Sequence, residues 1–287
     1  MVQLGILLAL ACALVANVGL LCKYRGAMAA PTVELRRPLH SAAALFRSRW
    51  WTIGFVVAFA GWTLHVAALS MAPLSVVETT ISGGLLLLAW LAERWFGVRV
   101  GPREWIGLGL CAVGLGLLAV TSAGTGSTSS SYSIEAMAAF EAGFVAVGIA
   151  LLLSGSAGSP RRSSGPLLGI AAGLLLGVSN VAVKALTATV PGDLLSLLSP
   201  WTLTALVAGA GAFLALARGL QTGGAIPVIT LSSVCANLAS VGGGILVFGD
   251  PMGGDPLAIA ARSLAFAAVI AAVIVLPAPG RPVPARA

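Results

Sequence analysis

Long apolar runs alternate with short polar or charged segments along the whole chain. Each run is long enough to cross about 30 Å of hydrocarbon as a helix, and none shows the residue-by-residue alternation of a membrane β-strand. The pattern predicts an all-α polytopic membrane protein with about nine transmembrane helices. The predicted spans are approximately 2–22, 50–70, 74–95, 104–121, 134–153, 166–187, 197–217, 224–248 and 256–276.

The third and fourth spans have a layout that returns in the eighth and ninth. Pro73 precedes Pro102 by 29 residues, and Pro227 precedes Pro256 by the same 29 residues. In both places the prolines stand at the start of two consecutive apolar runs. This spacing predicts two copies of one helical hairpin.

The duplication predicts a division into four spans, one linking span and four spans. Residues 1–122 form the first repeat, 123–165 a polar tether plus the linking span, and 166–287 the second repeat with a tail expected to be disordered. Corresponding spans are five crossings apart, an odd number, so the second repeat should be inverted relative to the first. Many secondary transporters are built from such inverted repeats.

Composition agrees with a membrane protein. The 287 residues are 58% hydrophobic and 9% charged, with a mean hydropathy of +1.01, whereas soluble domains carry about 25% charged residues. The net charge of +7 does not indicate nucleic-acid binding, because the basic residues follow the membrane topology. The four cysteines form no CxxC pair, which favours small core residues over a disulfide or zinc framework.

The loops predicted for one side of the membrane carry all the Lys and Arg except Lys184 and Arg262. Basic loops stay in the cytoplasm, so we expect the N-terminus outside, the C-terminus in the cytoplasm, and the protein in the cell membrane. The longest basic loop is 23–49. It is interpreted as a topology-setting loop, with a segment lying on the anionic inner leaflet as the alternative.

A few ionisable residues fall inside predicted spans, all in the outer half: Glu78, Glu141, Lys184, Arg262 and His65. A fixed charge at mid-bilayer costs at least about 2.5–3.5 kcal/mol, so these residues should face protein or water and mark a substrate pathway. Each also has a structural alternative. Lys184 could snorkel to the interface, the acids and bases could pair with one another, and His65 could be a hydrogen-bonded core residue.

Uncharged polar residues add to this candidate pathway. Span eight carries a stripe at spacings of three, four and three residues, which places its members on one helical face: Thr230, Ser233, Asn237 and Ser240. These side chains either line a cavity or bond a neighbouring helix. Asn17 and Asn180 occupy similar places in the two repeats and could close a cavity from opposite ends. Span six carries glycines at every fourth position, which predicts close approach of a neighbouring helix: Gly165, Gly169, Gly173 and Gly177.

No catalytic or nucleotide-binding motif is visible in the sequence. It contains no HExxH, GxSxG or P-loop pattern, and only two histidines. We therefore expect neither an enzyme nor a bound cofactor.

Short motifs near the start of the chain resemble a known group of transporters. Glu93 and Arg94 end a span before a Pro-Arg-x-Trp-Ile-Gly start at 102–107, with Ala92 where the motif has Gly. This junction resembles EamA-type members of the drug/metabolite transporter superfamily. Further motifs are similar to NIPA-like magnesium transporters: Lys23-Tyr24-Arg25-Gly26, then Trp50, Trp51, Gly54 and Phe55, then Ala72, Pro73 and Leu74.

The resemblance implies a secondary transporter that moves a small polar solute by alternating access, with Mg²⁺ as the family-suggested substrate. Glu78 and Glu141 would then be the metal ligands, while Lys184 and Arg262 would repel a dication in the same cavity. A lipid or lipid-linked sugar flippase and a non-transporting scaffold subunit are the alternatives. The expected partners are membrane lipids and the solute or ion, with a homodimer left open and no nucleic acid.

Overall fold

A computed structural model of the chain describes residues 2–34, 37–69, 71, 74–98, 100–122, 132–156, 164–189, 199–249 and 256–275. Within these ranges it contains α-helices and no strand, in agreement with the all-α prediction. The helices are α1 (Val2–Ala29), α2 (Pro38–Arg47), α3 (Arg49–Leu69), α4 (Leu74–Phe96), α5 (Pro102–Ser122), α6 (Ile134–Ser156), α7 (Ser164–Thr189), α8 (Pro200–Thr222), α9 (Ala225–Phe248) and α10 (Pro256–Val275). Most of the polar tether, at 123–131, and the tail at 276–287 lie outside the described residues.

Five of the described helices are long and apolar enough to cross a membrane: Gln3–Ala29, Ile134–Ser154, Ser164–Leu186, Pro200–Thr222 and Ala225–Phe248. The described part of α10 contributes a shorter apolar segment, Ile259–Val275. Long helices also lie at the remaining predicted spans. The count of nine spans stays a prediction.

Helix boundaries differ from the predicted spans in two places. Helix α1 continues to Ala29 although its apolar run ends at residue 22, because hydropathy marks the membrane segment and not the end of the helix. The segment 23–49 is not a plain loop, since it contains α2. Pro38 stands in the first turn of α2, where its fixed φ angle and missing N–H are tolerated.

Helix α1 packs on α3 and α4. Gly26 meets the backbone of Trp51, and Gly61 meets Ala16, so α1 and α3 run antiparallel. Ala9 clusters with Val77 near the start of α1 and α4, and further along Gly84 of α4 meets Ala13 and Asn17 of α1. Helices α1 and α4 therefore run in the same direction.

Helix α7 packs in the same way on α8 and α9. Gly165, at the start of α7, meets Gly223 just past the end of α8, and Ser179 donates a hydrogen bond to the carbonyl of Ala205. This pair is antiparallel. Helix α9 runs parallel to α7, because successive glycines of α7 meet successive positions of α9.

The glycine row on α7 brings the two backbones into contact, as its spacing predicts. A Cβ at Gly169 would lie 3.0 Å from the carbonyl oxygen of Val228. Gly173 meets the carbonyl of Ser232, and Gly177 meets Ala239. In lipid, such close van der Waals contact replaces the hydrophobic drive of a soluble core.

Two groups of helices, α1–α5 and α7–α10, share one large apolar core. Most of its buried residues come from α1, α4 and α5 on one side and from α8, α9 and α10 on the other, and Val33, Leu45 of α2 and Trp51 of α3 complete it. Gly114 of α5 lets α10 approach, since a Cβ there would lie 2.5 Å from the Val269 side chain. Helix α6 lies outside this core and packs on α7, where Gly148 meets Leu175.

The glycine contacts predict opposite effects of the same substitution at two sites. Gly173→Ala should destabilise the protein by about 1–3 kcal/mol, because the new methyl group overlaps the α9 backbone. Gly143→Ala on α6 meets open space and should be neutral or stabilise by up to about 1 kcal/mol. Reversible unfolding in bicelles measures both. Equal effects of the two substitutions would contradict the packing described here.

Candidate functional site

Accessible polar side chains follow one another along the parallel helices α7 and α9. Asn180 Nδ2 donates to Ser240 Oγ at 3.3 Å. One turn beyond Asn180, the exposed Lys184 places Nζ 4.3 Å from the ring centroid of Phe248. Asn237 is exposed three residues before Ser240. We call Asn180, Lys184, Asn237 and Ser240 the α7–α9 strip. Exposed amide and ammonium groups within membrane helices are costly against lipid, which makes the α7–α9 strip a candidate lining for a polar path.

The polar stripe predicted along α9 is accessible only over part of its length. Thr230 is fully buried, and within the described residues its hydroxyl has no hydrogen-bond partner. Ser233 is half-buried, and its carbonyl accepts a hydrogen bond from Asn237 Nδ2 at 2.9 Å. The stripe is therefore buried at Thr230 and accessible from Ser233 onward.

Aromatic rings surround the Lys184 end of the strip. Trp201 Nε1 donates to the Tyr132 hydroxyl at 2.7 Å. The Tyr132 ring lies edge-on to Phe248, with centroids 5.8 Å apart. Because Lys184 sits over Phe248, a cation–π contact connects the strip to this cluster. Sequence reasoning missed Tyr132 here. Its position directly after the Ser-rich tether is the signal that could have indicated it.

Glu141 is the buried acid among the side chains that the structure describes. It lies on α6 with 6% of its surface exposed, and its carboxyl group lies near the Thr204 side chain of α8. Among the described residues its Oε1 oxygen has no hydrogen-bond partner. An incompletely solvated carboxylate is costly in an apolar interior, so Glu141 is suited to hold a proton or to receive a cation.

Arg262 connects a different pair of helices, α10 and α5. It is buried on α10, and its Nη2 donates to the carbonyl of Thr121 near the end of α5. The carbonyls in the last turn of a helix lack intrahelical donors and attract cations. Arg262 therefore joins α10 to the end of α5. Lys184 and Glu141 instead flank one apolar cluster, which contains Phe248 and Phe140.

Two predicted site residues add little to this picture. His65 lies on α3 and is half-buried. The side chain of Glu78 lies outside the described part of the structure. Within the described residues, no group of three or more His, Cys, Asp or Glu gathers as a metal site. Protein Mg²⁺ sites often use only one or two carboxylates and retained waters, so a passing Mg²⁺ does not require such a group.

Gln221 joins the two groups of helices at one end of the bundle. From the last turn of α8, its Nε2 donates to the carbonyls of Ala27 at 2.9 Å and Pro31 at 3.0 Å. Its Oε1 accepts from the backbone N–H of Val33 at 2.9 Å. Helices α1 and α8 therefore end at the same level and run parallel. This residue had no signal in the sequence, because a lone Gln near a helix end is common.

Comparison with known proteins gives one relative. A protein of Arabidopsis thaliana named "Probable magnesium transporter NIPA9" is 23% identical to this chain over 251 residues, covering 84% of this chain and 72% of the relative. The chain is a multi-pass integral membrane protein. No family model matches it, and no solved structure matches it.

The two predicted asparagines make corresponding contacts with different burial. Asn17 on α1 is buried, and its Nδ2 donates to the carbonyl of Gly84 on α4 at 2.6 Å. Asn180 on α7 is exposed and donates to α9 through Ser240. Each asparagine thus connects the two parallel helices of its own group. The contact of Asn17 is short and protected, whereas that of Asn180 is long and accessible.

This difference predicts unequal stability effects. Asn17→Ala should lower the free energy of unfolding by about 0.6–1.7 kcal/mol, the range for interhelical hydrogen bonds in membranes. Asn180→Ala should cost less than about 0.6 kcal/mol. Asn237→Ala is the control, since the Asn237 amide bonds the backbone of its own helix. Steric trapping in bicelles measures the three values, and a larger loss for Asn180→Ala than for Asn17→Ala would contradict the assignment.

Proposed function

We propose that this protein is a secondary membrane transporter that moves a small polar solute by alternating access between two inverted halves. The observation that carries the proposal is the matched packing of the two groups of helices. Helix α1 packs antiparallel on α3 and parallel on α4, and α7 packs antiparallel on α8 and parallel on α9. Residues 1–122 form the first half, 166–287 the second, and α6 in between is the linking helix.

The contacts also support the inverted relation of the halves. Helix α4 runs with α1, and α1 runs with α8 because Gln221 and Ala27 lie side by side at their ends. Helix α8 runs against α7, and α7 runs with α9. Helices α4 and α9, the third long helices of the two halves, therefore run in opposite directions, as inverted repeats require.

Mg²⁺ is the proposed substrate. The name of the Arabidopsis relative supports this choice, and so does Glu141, a hard oxygen ligand of the kind that Mg²⁺ prefers. Arg262 would repel a dication within the site, but its guanidinium group lies against the end of α5. A purely structural scaffold should have satisfied every buried charge, and the Oε1 atom of Glu141 does not fit that alternative.

Alternating access requires a contact that can open at one end of the bundle. The hydrogen bonds of Gln221 join the halves at the end predicted to face the cytoplasm. Uncharged hydrogen bonds of this kind contribute little net free energy each. They can therefore hold one state without preventing the other.

The experiment is Mg²⁺ uptake into proteoliposomes that enclose a Mg²⁺-sensitive dye. Glu141→Gln keeps the size of the side chain and removes its charge. It should lower uptake roughly 10- to 100-fold, the equivalent of one lost charge-assisted interaction. Glu135→Gln is the matched control, because Glu135 lies exposed in the first turn of the same helix, and it should leave uptake unchanged.

Three outcomes distinguish the parts of the proposal. Unchanged Mg²⁺ uptake by Glu141→Gln would remove Glu141 from the pathway. Uptake of amino acids or nucleosides but not of Mg²⁺ would replace the substrate and leave the transporter in place. No uptake of any of these solutes by correctly folded, reconstituted protein would count against transport itself.

A further inference from the structure

We propose that α2 is an interfacial helix that binds the anionic surface of the membrane, with its apolar face in the acyl boundary and its basic face among the headgroups. The inference does not depend on what the protein transports. It begins with the surface of α2, which divides into three faces of different character.

The first face of α2 packs on the protein. Ser41 and Leu45, four residues apart, are its buried residues. Ser41 Oγ both accepts from the backbone N–H of Glu34 and donates to its carbonyl, at 3.0 Å each. These contacts fix the rotation of α2 about its axis, so the direction of the other two faces is determined.

The second face is apolar and exposed. Leu39 and Phe46 are seven residues apart and therefore lie on one side of the helix. Leu39 is 86% exposed and Phe46 44% exposed. The third face is basic. His40 and Arg47 are also seven residues apart, about 100° around the helix from the first pair, and both are exposed.

The position of α2 places these faces at the membrane boundary. Only Ser48 separates α2 from α3, which begins at the predicted edge of the membrane. Trp50, the second residue of α3, is partly exposed, and the Arg25 guanidinium group lies 4.5 Å from its ring centroid. Tryptophan and arginine together are typical of the headgroup depth. The C-terminal end of α2 therefore lies within a few ångströms of that depth.

The apolar face of α2 is continuous with the apolar outer surface of α3. The Phe46 ring lies edge-on to Phe55 of α3, with centroids 5.6 Å apart, and stacks on Phe213 of α8 at 6.0 Å. On either side of Phe55, the outer surface of α3 exposes further large apolar side chains: Ile53, Val56, Phe59 and Trp62. Lipid that covers α3 would therefore extend onto α2.

Charge favours an anionic lipid surface over a second copy of the chain as the occupant. Arg37, directly before α2, is exposed, as is Arg47 at its end. Two copies of α2 facing each other would bring these arginines together in repulsion. Anionic phospholipid headgroups attract such residues and release them as the surface charge falls.

The first test measures the depth of two neighbouring positions in proteoliposomes of phosphatidylcholine and phosphatidylglycerol. The four native cysteines are buried and are replaced by alanine before Leu39→Cys or His40→Cys is spin-labelled. A label at position 39 should collide mainly with oxygen, at a depth of about 5–10 Å. A label at position 40 should collide mainly with a water-soluble nickel complex.

Two results of the depth measurement would contradict the proposal. Equal nickel accessibility at both positions would show that α2 stands away from the membrane and would overturn the proposal. Shielding of position 39 that disappears when the protein is diluted with excess lipid would assign the surface to a second copy instead.

The second test addresses the charge of the lipid. A bimane label at position 39 reports quenching by brominated phosphatidylglycerol or brominated phosphatidylcholine, and the anionic lipid should quench more strongly. Arg37→Gln with Arg47→Gln should lower this preference, by roughly fivefold for each arginine. Arg103→Gln, an exposed arginine at the start of α5, should preserve it. Equal quenching by both lipids in the unsubstituted background would refute binding to anionic lipid.

Discussion

Backbone contact along the glycine row of α7 is the interaction on which the second half of the protein depends. Apolar side chains gain nothing from leaving lipid for one another, so helices in a membrane associate through close packing and hydrogen bonds. Gly165 lets α7 reach the end of α8, while Gly169 and Gly173 let it reach α9. Helix α7 therefore fixes the two helices beside it, and the strip between α7 and α9 takes its shape from this contact.

The helices of the first half also associate through close packing and hydrogen bonds, but in different proportions. Helix α1 approaches α3 through Gly26 and Gly54, and it approaches α4 through Gly84. It adds the buried hydrogen bond of Asn17, where the second half has the accessible one of Asn180. A polar pair that is buried and short holds its helices rigidly, whereas an exposed pair can exchange with water or solute. The accessible polar side chains of the proposed pathway accordingly lie on α7 and α9.

Much of the helical architecture could be predicted from the sequence, because hydropathy and the spacing of small residues are local signals. The helices lie close to the predicted apolar spans, and the four-residue glycine spacing predicted the close contact of α7 with a neighbouring helix. Helix α2 escaped prediction because ten residues with a narrow apolar face resemble a loop in a hydropathy profile. The contacts of Arg262 and Glu141 could not be predicted for another reason. Which helix a buried charge faces depends on packing between distant segments, which spacing along one helix does not determine.

The two buried charged residues within the described ranges, Arg262 and Glu141, make different contacts, and the difference bears on the proposed mechanism. Arg262 meets the carbonyl of Thr121, part of a fixed helix end that offers the same interaction whatever is transported. Glu141 lies near the Thr204 side chain and keeps one oxygen without a partner among the described residues. A ligand shifts a conformational equilibrium only by the difference in its affinity for the two states. An arginine held by the carbonyl of a fixed helix end supplies little such difference, whereas an acid that gains a cation or a proton in one state and loses it in the other supplies it directly. In the proposed transporter, Glu141 is therefore a better candidate than Arg262 for the charge through which binding drives the exchange between states.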